Sequence, residues 1–299
     1  MPAYLEMMRP GNCVMSIVAV VIGSLLASGG NLAIFLDPLS PAYIAAVVVF
    51  MITGAGNVIN DYVDIEADRI NRPKRPIPSG RVSPKAALVF SLMLFAAGIT
   101  LSISLTWYAL ALAVLNSAVL IIYSYSLQNK ILLGNITVGY LVGSTFLFGG
   151  AALGNLYLPF LLMLLAMFST ISREVVKDLE DIEGDRKSFL KKIASGAKKV
   201  AERFGIRGEE TRLKIDKRNA KALAAASMVL AIMASPLPYL LDILGLTYII
   251  ILIPTDIIFI YALFTILKSD TRKGFARSSR FIKLGMNIGL LAFIAGVLV

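Results

Sequence analysis

Two stretches of this chain, more than a hundred residues apart, carry nearly the same run of acids. Residues 60–69 read N-D-Y-V-D-I-E-A-D-R, and residues 177–186 read K-D-L-E-D-I-E-G-D-R. Laid over one another without a gap, they match Asp61 with Asp178, Asp64 with Asp181, Glu66 with Glu183, Asp68 with Asp185 and Arg69 with Arg186. Nearly half of the 19 acidic residues fall in these windows, in a chain of net charge +10 that is 57% hydrophobic. Acids gathered so tightly point to hard divalent cations, which take oxygen ligands and bridge to phosphates.

The spacing supports that chemistry. On a continuing helix Asp61, Asp64 and Asp68 share one face, Asn57 extends it, and Asn60 lies beside it four residues before Asp64. Glu174, Asp178, Asp181 and Asp185 fall at i, i+4, i+7 and i+11, again one stripe. A row of carboxylates on one face repels itself, and two facing rows need counter-charge between them. Solvated helix ends beside a membrane would explain single acids, but they predict scattered charge rather than a repeated D-x-x-D-x-E-x-D-R. After the first window comes R-I-N-R-P-K-R-P-I-P-S-G-R-V-S, residues 69–83, where three prolines and a glycine forbid a long helix. Arg69, Arg72, Lys74, Arg75 and Arg81 are thereby held in a stiff loop, and guanidinium groups suit pyrophosphate oxygens. Arg69 and Arg72, nearest the acids, are the expected ligand contacts.

The elements that position these residues are membrane spans. Apolar runs of roughly 20 residues, long enough to cross a bilayer, occur near 12–30, 41–60, 86–105, 107–127, 133–152, 157–175, 221–241, 246–267 and 281–299. All 29 Lys and Arg fall before span 1 or in and at the edges of the loops between spans 2 and 3, 4 and 5, 6 and 7, and 8 and 9, while the opposite loops hold none. The positive-inside rule then predicts a cytoplasmic N-terminus, cytoplasmic acidic motifs and a C-terminus outside. The first run, preceded by Arg9, reads as a retained helix rather than a leader. No basic stretch belongs to an independent soluble domain, so the charge argues for membrane lipid and phosphate and against nucleic acid. The absence of histidine removes imidazole bases and histidine-ligated metals, and the single Cys13 forms no internal disulfide. Asp256 lies inside span 8 with no cation nearby in sequence, a candidate functional acid or a protonated helix–helix bond.

At these residues the chain resembles the UbiA superfamily of intramembrane prenyltransferases. The resemblance rests on Asn60, Asp64 and Asp68, on the D-R-x-N-R-P-x-R-P-I-P-S-G-R-V-S loop, and on Asp181 and Asp185 in the second window. The opening M-R-P-x-N at 8–12, Y-S-Y-S-L at 123–127 and L-G-N-x-T-V at 133–138 resemble the branch that builds archaeal ether lipids. It implies an all-α domain, 1–299, of nine transmembrane helices around a central cavity, with motif halves 1–152 and 153–299 and a cytoplasmic cap of loops 61–85 and 176–220. It also implies Mg2+-dependent transfer of a geranylgeranyl group from a polyprenyl pyrophosphate to the hydroxyl of a lipid phosphate, geranylgeranylglyceryl phosphate. Asn60, Asp61, Asp64, Asp68, Asp178, Asp181 and Asp185 would be metal ligands. Asp64, Asp68, Asp181, Asp185 and Tyr123 would carry catalysis, and Arg9, Asn12, Asn60, Arg69, Arg72, Lys130 and Asn135 would contact substrates. Tyr62, Tyr125, Tyr140 and Phe148 are further aromatic candidates to face a carbocation. Two departures from the family pattern stand out: Ser126 and Gln128 replace expected lysines, and a basic amphipathic segment follows Asp185, a surface helix or a lid over 187–218. The alternatives are prenylation of an aromatic quinone precursor or a tetrapyrrole, or, outside enzymes, a cation-coupled transporter or magnesium channel.

Overall fold

The structure is a computed structural model that describes residues 2–128, 130–192 and 207–299, with the side chains of 71, 131, 182–192 and 207–216 outside the description. Among the described residues there is no strand, and nine helices are long and apolar enough to cross a membrane. A short helix α1, Ala3–Met7, precedes α2, Pro10–Ala27, and α3, Pro41–Val63. Then follow α4, Ile65–Asn71; α5, Pro84–Ser102; α6, Trp107–Ile122; α7, Ile131–Leu153; and α8, Tyr157–Lys192. The last four are α9, Arg207–Ala234; α10, Leu237–Leu240; α11, Leu246–Lys268; and α12, Arg272–Leu298. The start signals are local. Proline occupies the first turn of α2, α3 and α5, where its missing N–H costs nothing. Ser83, Thr106 and Thr271 each accept a backbone N–H at the start of α5, α6 and α12.

The helices close a ring. Contacts run from α2 through α3, α5, α6, α7, α8, α9 and α11 to α12, and α12 also packs on α2 and α8. Between α2 and α7 the backbones approach so closely that a Cβ on Gly23 would overlap the carbonyl of Phe146, and one on Gly149 the carbonyl of Val20. Ser24 Oγ seals that crossing by donating to the Gly149 carbonyl at 3.2 Å. Phe148, a candidate aromatic for the site, lies instead in the core between Val20, Val48 and Ala151, because its face of α7 turns toward that crossing.

The two motifs ride on different backbones. The first does not lie on one continuing helix: α3 stops at Val63, Asp64 forms a turn (φ −85°, ψ 11°), and α4 begins at Ile65. The i→i−4 bonds persist across the break, from Asp64 N–H to Asn60 and from Asp68 N–H to Asp64. The second motif sits within α8, whose 36 residues run without interruption. Of the segment 187–218, residues 193–206 lie outside the described residues, so neither the surface-helix nor the lid expectation is addressed. Asp256 ties α11 to the turn after α9: the Ser235 hydroxyl lies within hydrogen-bond distance of both its oxygens, at 3.0 and 2.8 Å.

Candidate active site

At the motif end of the ring lies a cavity of about 730 Å³. Its polar wall comes from Arg9, Asn12, Asn57, Asn60, Asp64 and Asp68, with Tyr123 and Gln128 opposite, between α6 and α7. Deeper in the ring is a chamber of about 360 Å³ lined mainly by apolar side chains, among them Ala19, Phe146, Leu162, Leu252 and Phe293. Met15, Ser16, Val142 and Thr145 line both, so the two volumes share a wall. The combination offers a charged mouth and a greasy interior.

The first motif is held by cations and amides. Asp61, 4% exposed, accepts from Arg9 Nη2 at 2.5 Å and Arg75 Nη1 at 3.0 Å. Arg75 Nη1 also donates to Asp68, 6% exposed, at 2.5 Å. One guanidinium therefore ties the helix end to α4 across the break at Asp64. Burying two carboxylates is tolerable only with such partners. Arg9 Nη2 reaches Asn60 Oδ1 at 3.3 Å, from a residue whose backbone is left-handed (φ +51°), a strained state for a residue with a Cβ. Asn57 Nδ2 pins the preceding turn by donating to the Met8 carbonyl at 2.8 Å. Asn60 Nδ2 donates to Gln128 Oε1 at 2.7 Å, and Gln128 Nε2 donates to Asp64 Oδ1 at 2.6 Å. Gln128 follows a π-helical turn, Tyr123–Leu127, a local distortion of the sort that marks functional helices.

The second motif is held more loosely. Asn135 Nδ2 donates to Asp178 Oδ2 at 2.6 Å, and Glu174 pairs with Arg173 and, at 3.2 Å, with Lys177. Asp181 is exposed and, among the described residues, makes no hydrogen bond or ion pair. The Asp185 side chain lies outside the described residues. Tyr123, at the C-terminal end of α6, lines the cavity with Asp64 and Asp68 of the first motif.

Other expected contacts fall elsewhere. Arg69 turns outward to pair with Glu66 at 2.8 Å, and Arg72 is exposed; neither lines the cavity. Lys130 is exposed at the start of α7, also away from the lining. Gln128 lines the cavity instead, and Arg75 pairs with Asp61 and Asp68. Sequence proximity favoured Arg69, but the i,i+3 relation to Glu66 on α4 turns it to the outer face. The proline loop returns Arg75 over the helix end. Arg81 makes a two-pronged bond to Glu6, at 2.7 and 3.0 Å, and ties the loop to α1. Tyr125 is 56% exposed, Tyr62 packs in the core, and the buried Tyr140 hydroxyl has no partner.

Among the described residues no three carboxylates meet closely enough to cage a metal unaided. Asp64 keeps one carboxylate oxygen without a protein donor, and Asp181 keeps both. That donor set fits Mg2+, which retains waters and binds one or two carboxylates together with substrate phosphates rather than an all-protein cage.

The model of the UbiA prenyltransferase family matches residues 16–287. The chain belongs to the UbiA prenyltransferase family. It is 44% identical to digeranylgeranylglyceryl phosphate synthase of Methanococcoides burtonii over 99% of this chain and 100% of that protein. A solved structure of a digeranylgeranylglyceryl phosphate synthase superposes with a TM-score of 0.82 at 38% identity, covering 99% of this chain and 98% of that one. A UbiA homolog from Archaeoglobus fulgidus, bound to DMAPP and Mg2+, shares the fold at a TM-score of 0.55 and 14% identity, over 96% of this chain and 99% of that one. As a UbiA-family member this chain is an integral membrane prenyltransferase.

Proposed function

We propose that this chain transfers a geranylgeranyl group from its pyrophosphate to the hydroxyl of geranylgeranylglyceryl phosphate. The carrying observation is full-length identity to digeranylgeranylglyceryl phosphate synthase, joined to a charged cavity that shares a wall with an apolar chamber. Asp64, Asp68, Asp178, Asp181 and Asp185 would hold Mg2+, and a distant homolog is bound to DMAPP and Mg2+. The bound metal would neutralise charge that develops on the departing pyrophosphate.

The chain's own residues do the rest. The allylic C–O bond breaks with its electron pair going to the pyrophosphate, and the acceptor oxygen then bonds to the allylic carbon. Arg9 faces the cavity mouth and supplies positive charge there, either to the pyrophosphate or to the acceptor's phosphate. Tyr123 lines the cavity beside the first motif, and its aromatic ring would face the carbocation. The apolar walls exclude water that would otherwise capture it. With no histidine in the chain, the acceptor's proton passes to a carboxylate or to the departing pyrophosphate. In this reading residues 1–299 act as one domain, with the motifs and N-terminus cytoplasmic and the C-terminus outside. Native Cys13 is buried, so cysteines placed at Lys130 and at Leu36 can report sidedness. An impermeant thiol reagent applied to right-side-out cells should label only the second.

The activity test is product formation by purified protein from labelled geranylgeranyl pyrophosphate and Mg2+. Geranylgeranylglyceryl phosphate and 4-hydroxybenzoate are offered in parallel, with Asp64→Ala and Asp181→Ala beside the native chain. A Mg2+-dependent ether-linked product, lost in both variants, is expected. Transfer to the aromatic acceptor alone would keep the mechanism and replace the acceptor. Absence of pyrophosphate release altogether would overturn the enzyme reading in favour of ion transport.

A further inference from the structure

Away from the catalytic mouth, at the charged end of α12, Lys273, Arg277, Arg280 and Leu284 fall at i, i+4, i+7 and i+11 and form one stripe. All three cations are exposed, and with Ala276, Phe281 and Leu284 they line a hollow of about 460 Å³. Among the described residues none of the three makes an ion pair or hydrogen bond with another side chain. Of the other cations nearby, Lys217 and Lys221 share Asp270 at 3.4 and 3.2 Å, Lys268 lies 4.2 Å over the Phe264 ring, and Arg272 and Lys283 are exposed outside the hollow. The one acid of the α11–α12 loop is therefore taken, and the stripe keeps three like charges at spacings that repel.

Topogenic charge alone explains the sign but not the shape. A scatter of cations suffices to orient a span. Here the charges line one concavity and descend the helix by about 10 Å, at 1.5 Å per residue. A headgroup layer is about 5–8 Å deep on each face of a bilayer, so the stripe is long enough to cross it. Beneath it the same face turns apolar. Phe281 stacks edge-on against Tyr261, with ring centroids 4.8 Å apart, and Leu284 is 46% exposed. Phosphate above and acyl chain below are the two halves of an anionic glycerophospholipid.

We propose that this hollow is a binding site for the phosphate of an anionic membrane lipid, separate from the catalytic cavity. Lys273, Arg277 and Arg280 grip the phosphate oxygens, and Phe281 and Leu284 receive the start of the chains. The site does not depend on which acceptor the enzyme prenylates.

The full-length protein, purified in detergent, is titrated with phosphatidylglycerol and separately with phosphatidylcholine, and bound lipid is counted by native mass spectrometry. The native chain should retain phosphatidylglycerol preferentially. Lys273→Gln/Arg277→Gln/Arg280→Gln should weaken that retention on the order of a hundredfold, from about one factor of five per charge. The charge-keeping Lys273→Arg/Arg277→Lys/Arg280→Lys variant should bind as the native chain does. If the triple glutamine variant fails to fold, single Arg277→Gln provides the same comparison with a smaller drop. Equal retention of both lipids by the native chain, or undiminished phosphatidylglycerol binding by the neutralised variants, would overturn the proposal. So would complete displacement of the lipid by millimolar inorganic phosphate, which would assign the hollow to a free anion.

Discussion

The two acidic motifs are alike in sequence and unlike in support. In the first, Asp61 and Asp68 are buried and neutralised by Arg9 and Arg75, and Asp64 is fixed by Gln128. In the second, Asp178 has one amide partner, Asp181 stands free of hydrogen bonds and ion pairs among the described residues, and the supporting helix runs straight through. A broken helix with buried acids needs its counter-ions to exist at all. A continuous helix with an exposed Asp181 does not, so that carboxylate would remain available to a cation that arrives with substrate. In the proposed function the first motif would be a prebuilt half-site and the second an open half, a division of labour that repeated sequence conceals.

Removing Arg75 should expose this contrast most. Arg75→Ala leaves two buried carboxylates without a partner on one side, and breaking such a pair destabilises by about 3 to 5 kcal/mol. Thermal unfolding in detergent reads it, and a change no larger than that of a surface substitution would dissolve the distinction. Gln128→Ala comes next, because it strips a donor from Asp64 and an acceptor from Asn60. A loss of about 1 to 3 kcal/mol follows from unmet polar groups, with Mg2+ affinity about tenfold lower. Mn2+ binding followed by electron paramagnetic resonance measures the second quantity independently of turnover.

Asn135→Ala tests the loose half and should cost about 1.5 kcal/mol, because one hydrogen bond to a partly buried carboxylate is lost. A cost above that of Gln128→Ala would reverse the comparison. A smaller effect is expected at Glu6. Its hydrogen bond to Arg81, opposed in part by burial, holds its carboxyl below the ordinary range. A lowered folded value means the unfolded chain binds protons first as pH falls. The contribution is therefore full above the ordinary carboxylate pKa of about 4.3 and lost as pH drops through the folded value. The melting difference between the native chain and Glu6→Gln should shrink between about pH 6 and pH 3. Least of all, Asp181→Asn should leave stability within about 0.5 kcal/mol while abolishing turnover. A marked loss of stability there would show the second motif to be as braced as the first.

Much of this was legible in the chain itself. The nine apolar runs anticipated the nine spans to within a few residues at most ends, because span length is set by bilayer thickness and proline and hydroxyl caps act locally. The second window was expected on one helical face and lies on one. The first was expected on a continuing helix, and the turn at Asp64 was missed because no proline or glycine announces it. The π-helical turn at Tyr123–Leu127 was missed for the same reason, although the absence of the expected lysine at 128 was a signal that something else filled that place.

The sequence by itself determined the class of molecule: an all-helical membrane protein, its two oxygen-rich motifs, a basic proline loop and the exclusion of histidine chemistry. These follow from composition and from periodicities of a few residues, which are local and additive. Only the tertiary structure decided which cation meets which acid. Arg75 rather than Arg69 reaches Asp61 and Asp68, and Gln128 reaches Asp64 from 64 residues away. It also decided that the charged cavity and the apolar chamber share a wall, and that the cations of α12 line one hollow. Those outcomes depend on how helices distant in sequence close a ring. A side chain's partner is then set by backbone separations of a few ångströms, which no spacing along the chain encodes.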